Sequence, residues 1–480
     1  MARLHEGPCT FFRLSPADLE KPECFSIQWG AIKQTRCDVD FHHPEFRELR
    51  ARIEGLSKTA TVEKIIRLPL TSGFAAGKDD RVKSSDVAIQ QIRPTQILPI
   101  GELDFSEAYG IRKTDTVELD YIEDGEVLFN NTNSTVWVGK SSVFRGTKLV
   151  VCSNHVTRLR LIKGIQPEFI ADVLNLLRER RYFARLCTNF NNQAGVNTDA
   201  LAAVRLPLPE KAERTKLLAA MDAARAEHRA KLTEADALLA GLDSFLLTSL
   251  GLTPPPKDDR KVFAVRRIEA QQQSRLNADY FHPERVLALR TMEQAAKRLA
   301  CQPLAEVVSF IRNQIKTRAA NYLSLAHVQS HTGELIAANE DVAGACSTFK
   351  LDDVLFARLR PYLNKVYRAE NAGCCSPEFH VLRANDPAAL RPDFLAAILR
   401  SSLILAQTRH MMTGNTHPRL TNEDVVNLII PIPKPAVQET IAAEARRRRE
   451  EARRLRVEAE AGWQAAKRWF EEQLIGPARR

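Results

Sequence analysis

Two kinds of stretch alternate along the chain. From Arg36 to about Leu206, and again from Arg275 to about Ile430, short β-branched and aromatic runs are cut by Gly, Asn and Asp. Ser134 to Val138 and Lys148 to Cys152 are such runs, and Glu123-Asp124-Gly125 and Asn130 to Asn133 are such breaks. Helical pattern is interspersed: within Pro167 to Leu186, Phe169, Val173, Leu176 and Leu177 share one helical face. This mixture predicts an α+β domain with a curled mixed sheet.

The pattern then changes. Glu210 to Leu250 has no proline and one glycine, and Gln438 to Ile475 behaves alike, with Gly462 alone. Apolar residues recur at spacings of three and four, at Leu218, Met221, Leu232, Ala235, Leu239, Leu242 and Leu246 in one stretch and Ala442, Ala445, Ala452, Leu455, Ala459, Trp463, Ala466 and Phe470 in the other. Each stretch predicts a helix of about 40 residues, roughly 60 Å at 1.5 Å per residue. Two separate helices per stretch is the alternative. At a spacing of 224, Leu239, Leu242, Leu246 and Leu250 fall on Trp463, Ala466, Phe470 and Leu474. A uniform stripe against a mixed one suits two long helices packed on each other.

These alternations reflect a duplication. Arg36 to Glu45 matches Arg275 to Glu284 at an offset of 239, with Arg, Asp, His, Pro and Glu coinciding. Val127-Leu128-Phe129 matches Val354-Leu355-Phe356 at 227, and Lys140 meets Lys365 at 225. Cys152-Ser153 with Leu159-Arg160 matches Cys375-Ser376 with Leu382-Arg383 at 223. Pro167 to Ala171 matches Pro392 to Ala396 at 225, and Leu206 to Pro209 matches Ile430 to Pro433 at 224. The matches keep their order, and the offset drifts only where loops change length. The organisation that follows is an N-terminal segment 1–33, a first domain 34–209, a helix 210–252, a Pro-rich linker 253–262, a second domain 263–433, a helix 434–476 and a tail 477–480. Pro254-Pro255-Pro256 makes the linker a firm helix stop.

Composition narrows the class. With 69 Lys+Arg and 59 Asp+Glu among 480 residues, the net charge of +10 leans towards a polyanionic partner, though charge alone carries little weight. The nine cysteines form no C-x-x-C and no zinc-spaced Cys/His cluster, as expected of free thiols in a reducing cytoplasm. No signal-peptide core opens the chain. Phe394 to Ala406 is the most apolar stretch and is interrupted by Arg400, Ser401 and Ser402, so no membrane partner is expected. Catalytic signatures are missing as well. No phosphate loop, G-x-S-x-G or H-E-x-x-H is present, nor an adenine methyltransferase's Asn/Asp-Pro-Pro-aromatic motif. Neither a cofactor nor a metal is expected. The paired His43 and His282 are candidate metal or acid–base groups, but each precedes Pro-Glu and fits a turn entering a helix.

The arrangement resembles the specificity subunits of Type I restriction-modification systems over about Gln34 to Gly476. Asp124 to Ser134 with Val138-Gly139-Lys140 is similar to one form of that family's central motif, and Asp352 to Pro361 with Asn364-Lys365 to the other. Gly414 to Pro433 resembles the passage into the helical spacer, and Gln438 matches a glutamine usual there. The first copy departs, with Glu213-Arg214 at that place. The resemblance implies two target-recognition domains and two helices paired as an antiparallel coiled coil. It implies a non-catalytic, cytoplasmic reader of double-stranded DNA that holds two DNA adenine methyltransferase subunits, with a motor-nuclease subunit as a further partner. A protein-interaction scaffold of a related phage-defence complex, without DNA reading, is the alternative, and an enzyme with an unrecognised active site is a third reading.

For DNA reading, the central loops offer the candidates. In the first copy they are Thr71, Ser72, Lys78, Asn130, Asn131, Asn133 and Lys140, and in the second Asn313, Lys316, Arg358, Arg360, Asn364 and Lys365. Asn pairs bidentately with adenine and Arg with guanine, while Lys and Arg also hold phosphates. The plain reading of the asparagines is that they close solvated turns. Lys140 and Lys365 coincide in the repeat, which suits a shared task such as phosphate contact or domain packing. Helical spacers of about 60 Å span roughly 17 base pairs and predict a target split by a gap of fixed length. Arg446 to Arg449, amid glutamates, reads as helical ion pairs, with a partner or DNA-backbone contact as the rival.

Overall fold

The computed structural model describes residues 36–77, 81–82, 88–106, 110–112, 120–190, 193–258, 260, 262–272, 278–316, 321–338, 344–411 and 418–476. They divide into two compact units, one of residues 1–228 with 460–480 and one of residues 229–459. Both are mixed α+β.

The first unit is built on an antiparallel sheet of β1 (Thr71–Ser72), β2 (Val127–Asn130), β3 (Ser141–Val143) and β4 (Val156–Leu159), in the order β1-β4-β2-β3. Strand β2 is buried on both faces. Val127 and Phe129 join a core with helix α1 (Pro167–Glu179), while Leu128 faces the other way, onto Ile92, Val150 and Cys152. That alternation is the period of two expected of a strand covered on both sides. The second covering layer is a small sheet in which Gln90–Ile92 runs parallel to Val150–Cys152.

The second unit repeats this plan. Strands β5 (Val308–Ile311), β6 (Val354–Ala357), β7 (Val366–Arg368) and β8 (Phe379–Ala384) form a sheet of order β5-β8-β6-β7. Val354 and Phe356 face the core that holds helix α2 (Pro392–Leu399), while Leu355 and Ala357 face the opposite layer. There Tyr322–Leu323 runs parallel to Cys374–Cys375. The registers coincide too: Leu159 pairs with Val127 as Leu382 pairs with Val354. The sequence offsets of 223 and 227 are therefore locked to each other, and the drift between them is loop length. In each unit a two-stranded ladder ties the Pro-x-Pro strand back to the unit's beginning, Thr59–Thr61 with Arg205–Pro207 and Ala300–Pro303 with Ile429–Ile432.

The two proline-free stretches are single helices, α3 (Lys211–Ser249, 39 residues) and α4 (Pro435–Ile475, 41 residues). In the first unit, Leu217 and Met221 share the main core with Trp463, Phe470 and Leu474. Within the second, Ala235 and Leu239 cluster with Ala452 and Leu455, and Arg456 donates to Asp236 at 2.8 Å. Leu239 meets small Ala452, whereas the bulky Trp463, Phe470 and Leu474 fill the core beneath α1.

His43 and His282 occupy the N-cap positions of helices Pro44–Glu54 and Pro283–Ala295, with proline at the first helical position. The His282 ring accepts from the Glu284 amide at 3.3 Å. All four arginines of the 446–449 run make ion pairs, Arg446 with Asp393, Arg447 and Arg448 with Glu444, and Arg449 with Glu334. Among the described residues no helix is long and apolar enough to cross a membrane.

Candidate nucleic-acid interface

The loop after the central strand is held alike in both units. Gly139 and its counterpart Asn364 both adopt positive φ, +93° and +50°. A Cβ on Gly139 would lie 2.3 Å from the Phe183 ring, so that position excludes any side chain. Asn364 tolerates the left-handed backbone and donates its Nδ2 to the Arg400 carbonyl at 2.7 Å. One residue on, Lys140 donates to the Pro94 carbonyl and Lys365 to the Leu325 carbonyl, both at 2.7 Å. Burial, then the neighbouring Arg178 charge, pushes the Lys140 ammonium down to about 8. Of the two shared tasks considered for these lysines, domain packing fits this geometry.

Several other expected contacts are also turned inward. Asn130 is fully buried and donates to the Trp137 carbonyl at 2.8 Å. Asn131, also buried, donates to Ser72 Oγ, the Asn154 carbonyl and Thr157 Oγ1. Asn130, Asn131, Lys140 and Asn364 therefore lack the solvent-facing amides and ammonium that DNA contact requires. In each case a carbonyl or hydroxyl within reach accepts from the buried nitrogen, while Asn130 Oδ1 is buried without a partner among the described residues. Thr71 accepts from Arg160. Asn133 accepts from the Ser134 amide at 2.8 Å, and Lys365 is half-buried. Ser72, Asn313, Lys316 and Arg360 are exposed, Arg358 is half-buried, and Lys78 lies outside the described residues.

Three adjacent strands bring one set of positions together at the sheet's end. In the first unit they hold Ser72, Asn131 and Thr157, and Ser72 pairs with Thr157 across β1 and β4. The Ser72 and Thr157 hydroxyls lie 3.1 Å apart. By register, the same positions in the second unit hold Arg312, Arg358 and His380. Nearby, Glu378 is paired with Arg419 at 2.7 Å. His380 is buried, packed against the edge of Phe310, and its Nε2 has no hydrogen-bond partner. Burial first, and then the Arg358 charge, hold its imidazole down to about 4. One scaffold thus carries a neutral hydroxyl–amide set in one unit and a cationic set in the other.

No protein-family model matches the chain. A curated relative, described as the MjaX specificity subunit of a type I restriction enzyme from Methanocaldococcus jannaschii, is 25% identical over 120 residues. The match covers 22% of this chain and 28% of that protein. The chain resembles Type I specificity subunits. Solved structures of such subunits align over 88% of the chain. The subunit from M. genitalium does so at 12% identity and a TM-score of 0.38, with 96% of that chain covered. A chain from a structure of type I R-M complex assembly and conformational transition gives 14% and 0.44, with 97% covered. The HsdS subunit of Thermoanaerobacter tengcongensis gives 13% and 0.33, with 97% covered. These scores are low and carry no weight beside the curated relative and the duplicated motifs.

The likeness to specificity subunits directs attention to two residues that pattern reading passed over. Trp137 and Tyr362 lie 225 apart, the offset of Lys140 and Lys365, and both are exposed, at 41% and 37%. Each sits in the loop whose end is pinned by the left-handed residue and the inward-bonded lysine. The Lys140 ammonium lies 5.5 Å from the Trp137 ring centre. The coincidence of two aromatics at the lysine offset was the signal available in the sequence. A second turn repeats as well, Gly101-Glu102-Leu103 against Gly333-Glu334-Leu335 at an offset of 232, with both glycines at positive φ.

Proposed function

We propose that the chain is the sequence-specific DNA-recognition subunit of a Type I restriction-modification complex. It reads a two-part target with two similar readers, does no catalysis itself, and anchors DNA adenine methyltransferase subunits, with a motor-nuclease subunit joining for restriction. The observation that carries this reading is the pair of matched strand ends. Common residues keep the scaffold in both units, while Ser72, Asn131 and Thr157 in one give way to Arg312, Arg358 and His380 in the other. Two readers of different half-sites need that combination, since positioning is shared and discrimination is not. The exposed Trp137 and Tyr362, with Arg360, Asn313, Lys316 and Ser72, supply surface for the duplex.

Helices α3 and α4 pair as an antiparallel coiled coil in this reading. Contacts of Asp236 with Arg456 and of Phe245 with Arg448, whose guanidinium lies 5.0 Å from the Phe245 ring centre, run in opposite chain directions and support it. The test is co-expression with an adenine methyltransferase subunit of a Type I system from the same genome, followed by sequencing of methyl-adenine in the host genome. A bipartite motif with a fixed gap is expected, absent when this chain is omitted. Methylation that persists unchanged without the chain contradicts the proposal.

A further inference from the structure

The cationic strand end of the second unit has a specific chemical bias. Arg312 follows Ile311, which pairs with Val381, so Arg312 lies across from His380. Arg358 follows Ala357, which pairs with Phe379, and so lies on the strand at the other side of His380. Both guanidinium charges act on that imidazole, which burial already keeps neutral. No described carboxylate or carbonyl takes a hydrogen bond from the Arg312 or Arg358 side chain, and Arg358 Nε is buried without a partner. The neighbouring carboxylate, Glu378, is engaged by Arg419 through both of its oxygens. Two donor-only groups therefore converge on a place where the described residues supply no matching acceptor. Like charges held together this way favour an acceptor brought by a ligand.

Among base edges, guanine alone presents two acceptors side by side in the major groove, N7 and O6, with no donor between them. Adenine and cytosine place an amino donor there, which would meet guanidinium donors head on. At the equivalent end of the first unit, Ser72, Asn131 and Thr157 satisfy one another and impose no such demand. We infer that Arg358 and Arg312, with His380 behind them, read a guanine in the half-site taken by the second reader. This inference rests on the DNA-reading function proposed above and names the residues and the base.

The test uses the full chain in complex with its methyltransferase. Binding is measured to the cognate duplex and to duplexes substituted at each base pair of both halves, for wild type, Arg358→Ala, Arg312→Ala and the charge-retaining Arg358→Lys. A thermal unfolding scan of each complex checks folding, and Arg312→Ala, at an exposed position, keeps the test alive if Arg358→Ala does not fold. The inference expects both alanine variants to lose discrimination at one G·C pair of the second reader's half, by about 5- to 150-fold, the worth of a good bidentate contact. Discrimination in the other half stays intact, and Arg358→Lys restores only part of the loss. Uniform weakening on all duplexes with a shallower salt dependence would identify a phosphate contact and overturn the inference. So would a second half-site with no G·C pair that responds. A wild-type complex with no sequence preference would overturn the proposed function itself, whereas a clear wild-type motif that the variants read unchanged overturns this inference alone.

Discussion

Gln438 donates its Nε2 to the Ala389 carbonyl at 2.7 Å, and Arg214 donates to the Gly164 carbonyl at 3.1 Å. The two donors lie 224 apart and the two carbonyls 225 apart, so both bonds fasten the start of a long helix to the same turn of its own unit. The departure of the first copy from the usual glutamine is thus a change of side chain with the attachment kept. Gln438 is fully buried, accepts from the Arg391 amide and donates also to the Pro433 carbonyl. Gln438→Ala leaves these groups unsatisfied and should cost about 3 kcal/mol, since each stranded buried group costs about 1–3 kcal/mol. Denaturant unfolding of the second unit checks this. Arg214→Gln, which can still reach the turn, should cost under about 1 kcal/mol.

The pinned loops give a second, paired prediction. Gly139→Ala meets both a positive φ and the Phe183 ring and should destabilise the first unit by more than about 2 kcal/mol. Asn364→Gly keeps the left-handed backbone and loses one hydrogen bond, so about 1 kcal/mol is expected. Thermal unfolding of the two variants side by side distinguishes them. Equal effects would mean that the loop conformation is not what these positions maintain.

The duplication, the two long helices, the helix-entry turns at His43 and His282, and the ion-paired arginine run were all legible in the chain, because apolar spacing and proline placement fix backbone conformation locally. The faces of the loop residues were not. Asn130 and Asn131 read as loop asparagines, but their fate depends on the Trp137 carbonyl, which the turn between β2 and β3 brings back, and on Thr157, which approaches only when β2 and β4 pair. Lys140 and Lys365 show the same limit: their offset showed a common task, and the distant Pro94 and Leu325 carbonyls decide which one. Arg312 and His380 escaped notice because their neighbourhood exists only across strands.

His380 makes the second unit sensitive to acid. Its folded imidazole titrates at about 4, below the ordinary 6.5, so between those values the unfolded chain binds a proton that the folded chain does not. Stability contributed by this residue is complete above about pH 6.5 and is lost as pH falls towards 4. Unfolding midpoints measured from pH 7 to 4.5 should drop more steeply for wild type than for His380→Gln. Parallel curves would exclude His380 as the source.

Trp137 and Tyr362 should matter for binding and little for folding. Both are exposed, so Trp137→Ala and Tyr362→Ala should change stability by under about 0.5 kcal/mol. Each should weaken cognate DNA binding by about 5-fold or more, the scale of a lost aromatic contact to a base or sugar. Titration of labelled duplex with the methyltransferase complex measures the effect. Unchanged affinity in both variants would remove these loops from the interface.

The central claim is that one scaffold, used twice, reads two half-sites independently. Its most direct test replaces residues 34–209 with the corresponding segment of a related subunit of different specificity and sequences the methyl-adenine motif made in the cell. The account predicts that one half of the motif changes to the donor's while the other half and the reader that serves it stay as they were. A change in both halves, or in neither, would contradict it.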